Sequence, residues 1–278
     1  MQPNDKYKNL DLEFWANIKL LNQRLGYVSR QRSKPGFIIP SSQQIQQLFK
    51  QEKYNPEKLV VNDSMTDFGH LIQEYMAFRA DILTNFVEPN LMNKDQAKLL
   101  FDQIRAEFSY SCPLSINKQK GEKKEYAFLT GLVNMLIDAN KGTHSCDYDP
   151  KELTALTAND FPIRTFSRRL DGAFPSVKNP KSIWEIKEYY YTTTFGSRVA
   201  DGVYETQLDG WEIREVKTNL NRDIKHYLIA DGYYTWWNCG RSYLCRLIDS
   251  MHMGLITEVI FGKEVVTRIP QLVKEWIK

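Results

Sequence analysis

No apolar run in this 278-residue chain approaches the ~20 residues needed to cross a bilayer. The opening stretch MQPNDKYKNLDLEF lacks the hydrophobic core of a signal peptide. A membrane partner is therefore not expected, and the cytoplasm is the expected compartment. Cysteine is scarce: Cys112, Cys146, Cys239 and Cys245 have no framework spacing, so reduced thiols are expected rather than a disulfide scaffold. His144 and Cys146 form an isolated pair, and a zinc site needs more ligands at regular spacing. Internal repeats and low-complexity tracts are missing as well. So is a large excess of charge: the net value is only +3, weaker than a protein that coats nucleic acid would show.

What is present is an ordinary globular composition, 42% hydrophobic and 26% charged, in a chain long enough to bury a sizeable core. Its charge is unevenly placed. From Phe14 to Gln51 there is no Asp or Glu, yet Lys19, Arg24, Arg30, Arg32, Lys34 and Lys50 fall there. Lys118, Lys120, Lys123 and Lys124 form a second basic cluster, and Arg164, Arg168 and Arg169 a third. Local basic surfaces of this kind suit phosphate contacts, although solvated helix faces give the same pattern.

The N-terminal part reads as helical. Asp11 is placed to cap a helix over Leu12 to Leu25, whose Phe14, Ile18, Leu21 and Leu25 fall at helical spacing, with Gly26 as its stop. A basic loop with a Pro-Gly turn follows, then a helix capped by Ser41 or Ser42 and lined with glutamines. Arginine can pair with guanine and glutamine with adenine, so Arg24, Arg30, Arg32, Lys34, Ser41, Gln43 and Gln44 are candidate DNA contacts. An ordinary helical hairpin with a wet polar face fits equally well. Residues 57 to 110 read as helical scaffold.

The chemistry concentrates between Asp171 and Lys187, DGAFPSVKNPKSIWEIK. Phe161 to Leu170 is expected to form the strand that delivers Asp171, and Ile183 to Tyr191 a second, aromatic strand. Because strand side chains alternate, Glu185 and Lys187 share one face while Trp184 and Ile186 take the other. Pairing of the two pieces would set Asp171 beside Glu185, placing two carboxylates and an ammonium in one pocket. Mg²⁺ commonly takes one or two carboxylates and fills its other positions with water and phosphate oxygens. Upstream, a helix from Lys120 to Ala139 would carry Glu125 on its inward stripe, with Glu122 a turn earlier. An acid turned inward needs a cation or metal to pair it.

Asp171, the loop, and the run Glu185-Ile186-Lys187 resemble the active site of the PD-(D/E)XK nuclease superfamily, which includes many type II restriction endonucleases. The resemblance covers about half the chain, from near Glu125 to the C-terminus; Leu170 stands where the motif has proline. The order of helices and strands along this half gives an α/β core with a mixed sheet, and the resemblance implies that this central sheet is restriction-endonuclease-like and flanked by helices. To this the periodicity adds a helical N-terminal region, with a division into 1–110 and 111–278. The resemblance further implies a Mg²⁺-dependent endonuclease on double-stranded DNA that leaves 3′-hydroxyl and 5′-phosphate ends. Asp171 and Glu185 would hold the metal, Lys187 would position or activate water, and Glu125 would assist. Arg168 and Arg169 are expected DNA contacts. A homodimer on palindromic sites is the expected assembly.

Three other readings use the same residues differently. A repair or anti-phage defence nuclease would cut with little sequence specificity. A non-catalytic nucleic-acid-binding protein would rely on the basic N-terminal segment alone. A hydrolase using two carboxylates as acid and base would not need Lys187 on the same strand face.

Overall fold

The computed structural model describes residues 1–8, 10–29, 36–117, 124–191 and 196–278. Arg30, Arg32, Lys34 and Glu122 lie outside the described residues, as do Lys118, Lys120 and Lys123.

The N-terminal helices form where the apolar spacing and caps place them. Asp11 accepts the Phe14 N–H at 2.8 Å and starts α1 (Leu12–Leu25). Ser41 and Gln44 form a reciprocal capping box on α2 (Ser42–Gln51). A tight hairpin of β1 (Val60–Val61) and β2 (Ser64–Met65) interrupts the expected helical scaffold and leads into α3 (Asp67–Ile82). Phe14, Trp15 and Ile18 from α1, Ile45 and Phe49 from α2, and Ile72 and Tyr75 from α3 form one apolar cluster.

A π-helical turn (Leu83–Val87) and the short α4 (Glu88–Asn90) lead to α5 (Lys94–Glu107), capped by Asn93. Although α5 was expected with the N-terminal helices, its Ala97, Phe101 and Ile104 belong to the core of the following part. The next helix, α6, starts at Phe128 rather than Lys120 and runs to Asn140. Phe101 presses on it at Gly131, where a Cβ would lie 2.4 Å from the Phe101 ring.

The centre is a five-stranded mixed sheet in the order β3-β6-β7-β8-β9. Its strands are β3 (Asp147–Tyr148), β6 (Gly172–Phe174), β7 (Ser182–Glu188), β8 (Lys225–Asp231) and β9 (Glu258–Phe261). The β3–β6 and β6–β7 pairs are antiparallel, while β7, β8 and β9 run parallel. The parallel pairs need crossover helices. These are α7 (Ser197–Leu220) and α8 (Arg241–His252), the latter following a π-helical turn over Tyr234–Cys239. A final helix, α9 (Val265–Ile277), closes the chain. Trp184, Ile186, Tyr227, Ile229 and Ile260 pack on one face with α5, α6 and α9. Leu228, Ala230 and Val259 pack on the other with α7 and α8. The protein is thus mixed α/β, with a helical N-terminal region and helices on both faces of the sheet. Among the described residues no helix is long and apolar enough to cross a membrane.

One expected strand lies elsewhere. Phe161–Thr165 forms β5, which pairs with β4 (Ala155–Ala158) in a separate two-stranded sheet. Asp171 is delivered instead by the short turn that enters β6.

Candidate active site

Two strands bring the acidic pair together. Gly172 faces Trp184 across the antiparallel β6–β7 ladder, so one residue earlier Asp171 faces Glu185. The ladder closes because Gly172 has no side chain: a Cβ there would sit 2.1 Å from the Trp184 indole. Trp184 lies against the backbone of β6 and stacks on Trp276, with ring centroids 5.5 Å apart and planes 7° apart. Its burial on that face fixes Glu185 and Lys187 on the opposite one. The strand alternation expected from the sequence is what the structure has.

Asp171 Oδ2 accepts the Ile186 N–H at 2.7 Å, tying the acid to β7. Lys187 Nζ lies 2.6 Å from Glu185 Oε1. Helix α7 closes the pocket: Glu205 meets the same ammonium at 2.8 Å, and Gly202 comes close enough that a Cβ would be 3.0 Å from Lys187 Cε. Arg168 enters from the turn before β6. Its guanidinium spans both Glu185 oxygens at 2.7 and 3.2 Å and donates to Asp209 at 2.7 Å. The pocket therefore gathers four carboxyl groups, from Asp171, Glu185, Glu205 and Asp209, around two cations, Arg168 and Lys187.

Burial and this imbalance set the protonation. Burial first, and the Glu185 charge second, push the Asp171 carboxyl up to about 7. Burial also lifts Asp209 to about 7, against the pull of Arg168. Asp209 Oδ1 is buried without a hydrogen-bond partner. Burial works against the Lys187 charge, but Glu185 and then Glu205 hold the ammonium well above its ordinary range. His226, at the start of β8, is buried; burial pushes it down to about 4, leaving it a neutral neighbour of the cluster.

The donor set suits a hard divalent cation in part. Two facing carboxylates match what Mg²⁺ takes from many proteins. The partnerless Asp209 oxygen and the suppressed ionisation of Asp171 mark a pocket short of positive charge. Among the described residues no group of three or more His, Cys, Asp or Glu side chains is arranged to hold a metal ion. Arg168 occupies both oxygens of Glu185, so a cation entering there must displace it.

Other expected site residues lie elsewhere. Glu125 was expected on the inward stripe of a helix, but it precedes α6 and pairs with Lys94 at 2.6 Å and the Tyr191 hydroxyl at 2.6 Å. The carboxylate at the start of α6 is Glu188, which accepts the Phe128 and Thr130 N–H groups at 3.0 and 3.1 Å. Arg168, expected on the DNA, is the clamp inside the acidic cluster, whereas Arg169 beside it is exposed. Arg24 pairs with Glu52 at 2.8 Å. Ser41 and Gln44 satisfy each other in the capping box, and Gln43 is exposed.

Asp209 and the clamp role of Arg168 were missed from the sequence. A signal for the first existed: Glu205, Asp209 and Glu212 recur at i, i+4 and i+7, one helical face carrying acids beside buried Val203 and Thr206. Glu212 extends that face by accepting from Arg164 at 2.8 Å and from the Ser167 hydroxyl at 2.8 Å.

Comparison with known proteins gives families without an assigned activity. No curated protein and no solved structure matches the chain. Residues 1–86 match a family model described as Domain of unknown function (DUF7690). The core that holds the acidic cluster falls in a second match, over residues 92–276, and by this match the chain belongs to the family described as Domain of unknown function (DUF7687).

Proposed function

We propose that this chain is a Mg²⁺-dependent endonuclease that hydrolyses phosphodiester bonds of double-stranded DNA, of the PD-(D/E)XK type and most like a sequence-specific restriction enzyme. The observation that carries the reading is the cross-strand pair of Asp171 and Glu185 with the Lys187 ammonium 2.6 Å from Glu185. The strand order supports it, since two antiparallel strands bearing the trio continue into parallel strands through helix α7.

Asp171 and Glu185 would hold Mg²⁺, which when bound supplies charge neutralisation at the phosphate oxygens. Lys187 acts as an ammonium: paired with two carboxylates, it donates hydrogen bonds to water or to a phosphate oxygen and adds positive charge where negative charge develops. Glu205 orients that ammonium from α7. Asp171 must lose its proton to become a ligand, and the Ile186 N–H, aimed at Oδ2, favours the ionised form. Arg168 would have to give up Glu185 for a cation to bind there, and Asp209 would remain its second partner. The same reading carries a homodimer on a two-fold DNA site, which sedimentation with a palindromic duplex would test.

The direct experiment is incubation of plasmid and phage DNA with Mg²⁺ or with EDTA, followed by mapping of the ends. Discrete fragments with 5′-phosphates, absent with EDTA and absent for Lys187→Ala, are expected. A smear would replace site specificity with non-specific cleavage, and intact DNA under all conditions would reject the nuclease reading.

A further inference from the structure

A second basic site lies outside the acidic cluster. Where the C-terminal end of α1 and the loop after it face α8, a cavity of about 510 Å³ opens between the N-terminal helices and the core. Asn22, Tyr27, Asn238, Ser242, Arg241 and Arg246 are among the side chains lining it.

Four arginines of the core are neutralised by acids, and among the described residues those of the cleft are not. Arg79, Arg164, Arg168 and Arg268 each meet a carboxylate. Arg246 is half-buried, yet its hydrogen-bond partners are the Tyr27 and Tyr204 hydroxyls at 3.4 and 2.9 Å. Its guanidinium also lies over the Tyr243 ring, 4.7 Å from the centroid, and Arg241 lies over Trp237 at 5.5 Å. Among the described residues neither Arg241 nor Arg246 has a carboxylate within ion-pair distance. Burying part of a guanidinium without an anion is costly, and phenol hydroxyls and ring faces offset that only in part. Two such cations on one cavity, with hydroxyl and amide groups beside them, form a site for an anion rich in oxygen acceptors.

We infer that this cleft holds phosphate groups of the nucleic-acid chain, at a distance from the bond being cut. The inference rests on the nucleic-acid part of the function proposed above. Helix α7 links the two places, since Tyr204 meets Arg246 and its neighbour Glu205 meets Lys187. Asn22 also ties the cleft to the core by accepting from Arg79 at 3.0 Å. The cleft thus supplies positioning while the acidic cluster supplies chemistry.

The test is binding of a fluorescein-labelled 20-bp duplex, read by anisotropy without divalent ions across a series of NaCl concentrations. The proteins are wild type, Arg241→Gln/Arg246→Gln and Arg241→Lys/Arg246→Lys, each checked by thermal unfolding. Removing two phosphate contacts should weaken binding about ten- to hundred-fold and reduce the salt slope by about 1.8, while the lysine variant keeps most of both. Mn²⁺ binding followed by electron paramagnetic resonance should stay unchanged in the glutamine variant. Wild-type affinity and salt slope in a folded glutamine variant would overturn the cleft assignment and leave the nuclease reading standing. Duplex binding that depends on the two arginines, with no cleavage by the wild type, would support the cleft and reject the nuclease. A wild type that binds no duplex would overturn both.

Discussion

Two arginine-centred clusters in this chain share parts but differ in balance. At the junction of the N-terminal helices with the core, Arg79 reaches both oxygens of Asp249 at 2.8 Å, and Tyr75 and Asn22 complete the set. One cation meets one anion there, and the Arg79 side chain is 2% exposed. In the β6–β7 pocket, Arg168 is 21% exposed and faces Glu185, Glu205 and Asp209, while Asp171 is suppressed nearby and one Asp209 oxygen has no partner. The first cluster is satisfied and sealed, as a structural tie must be. The second has spare acid and an exit for its cation, which is what a site that exchanges a cation requires.

Substitutions should separate the two. Asp171→Asn, Glu185→Gln and Lys187→Ala are each expected to cut cleavage by about a thousand-fold or more while thermal unfolding still shows a folded protein. Full activity in any of them would remove the distinction between the clusters. Arg79→Ala should do the reverse, costing about 3–5 kcal/mol of stability through a stranded buried Asp249, measured by denaturant unfolding. A paired change to apolar residues, Arg79→Met with Asp249→Leu, should cost less than either single change.

Arg168→Gln should strengthen Mn²⁺ binding about ten-fold, because it removes the competing cation from Glu185. Weaker binding would mean that Arg168 organises the ligands rather than blocking them. Ion affinity should also rise with pH through about 7, as Asp171 gives up its proton, and calorimetry in buffers of different ionisation enthalpy should detect that release.

The smallest effect concerns Asp209. Its folded value, about 7, lies above the ordinary 3.8, so the native state binds the extra proton. That contribution to stability is fully present below about pH 3.8 and is lost as pH rises to about 7. Asp209→Asn should flatten that part of the stability–pH profile, with the new amide taking the partnerless Oδ1 position. A profile identical to wild type would show that Asp209 is ionised throughout.

The trio was legible because strand alternation needs only local sequence: Glu185 and Lys187 share a face, and the apolar Trp184 and Ile186 decide which face is buried. The α/β class followed from the same periodicities. Arg168 was not legible as a clamp, because its partners lie 17 and 41 residues away and Arg169 beside it looks equivalent in sequence. Glu125 misled because the apolar stripe of α6 was extended backwards beyond Phe128, where the chain is no longer helical. The separate β4–β5 hairpin was missed because alternation in Phe161–Thr165 does not say which sheet the strand joins.

The most direct measurement is anomalous diffraction from crystals soaked in Mn²⁺. The account predicts a peak coordinated by both Asp171 and Glu185, with Arg168 withdrawn from Glu185 and still on Asp209. No peak at saturating Mn²⁺, with Arg168 still spanning the Glu185 carboxylate, would contradict it.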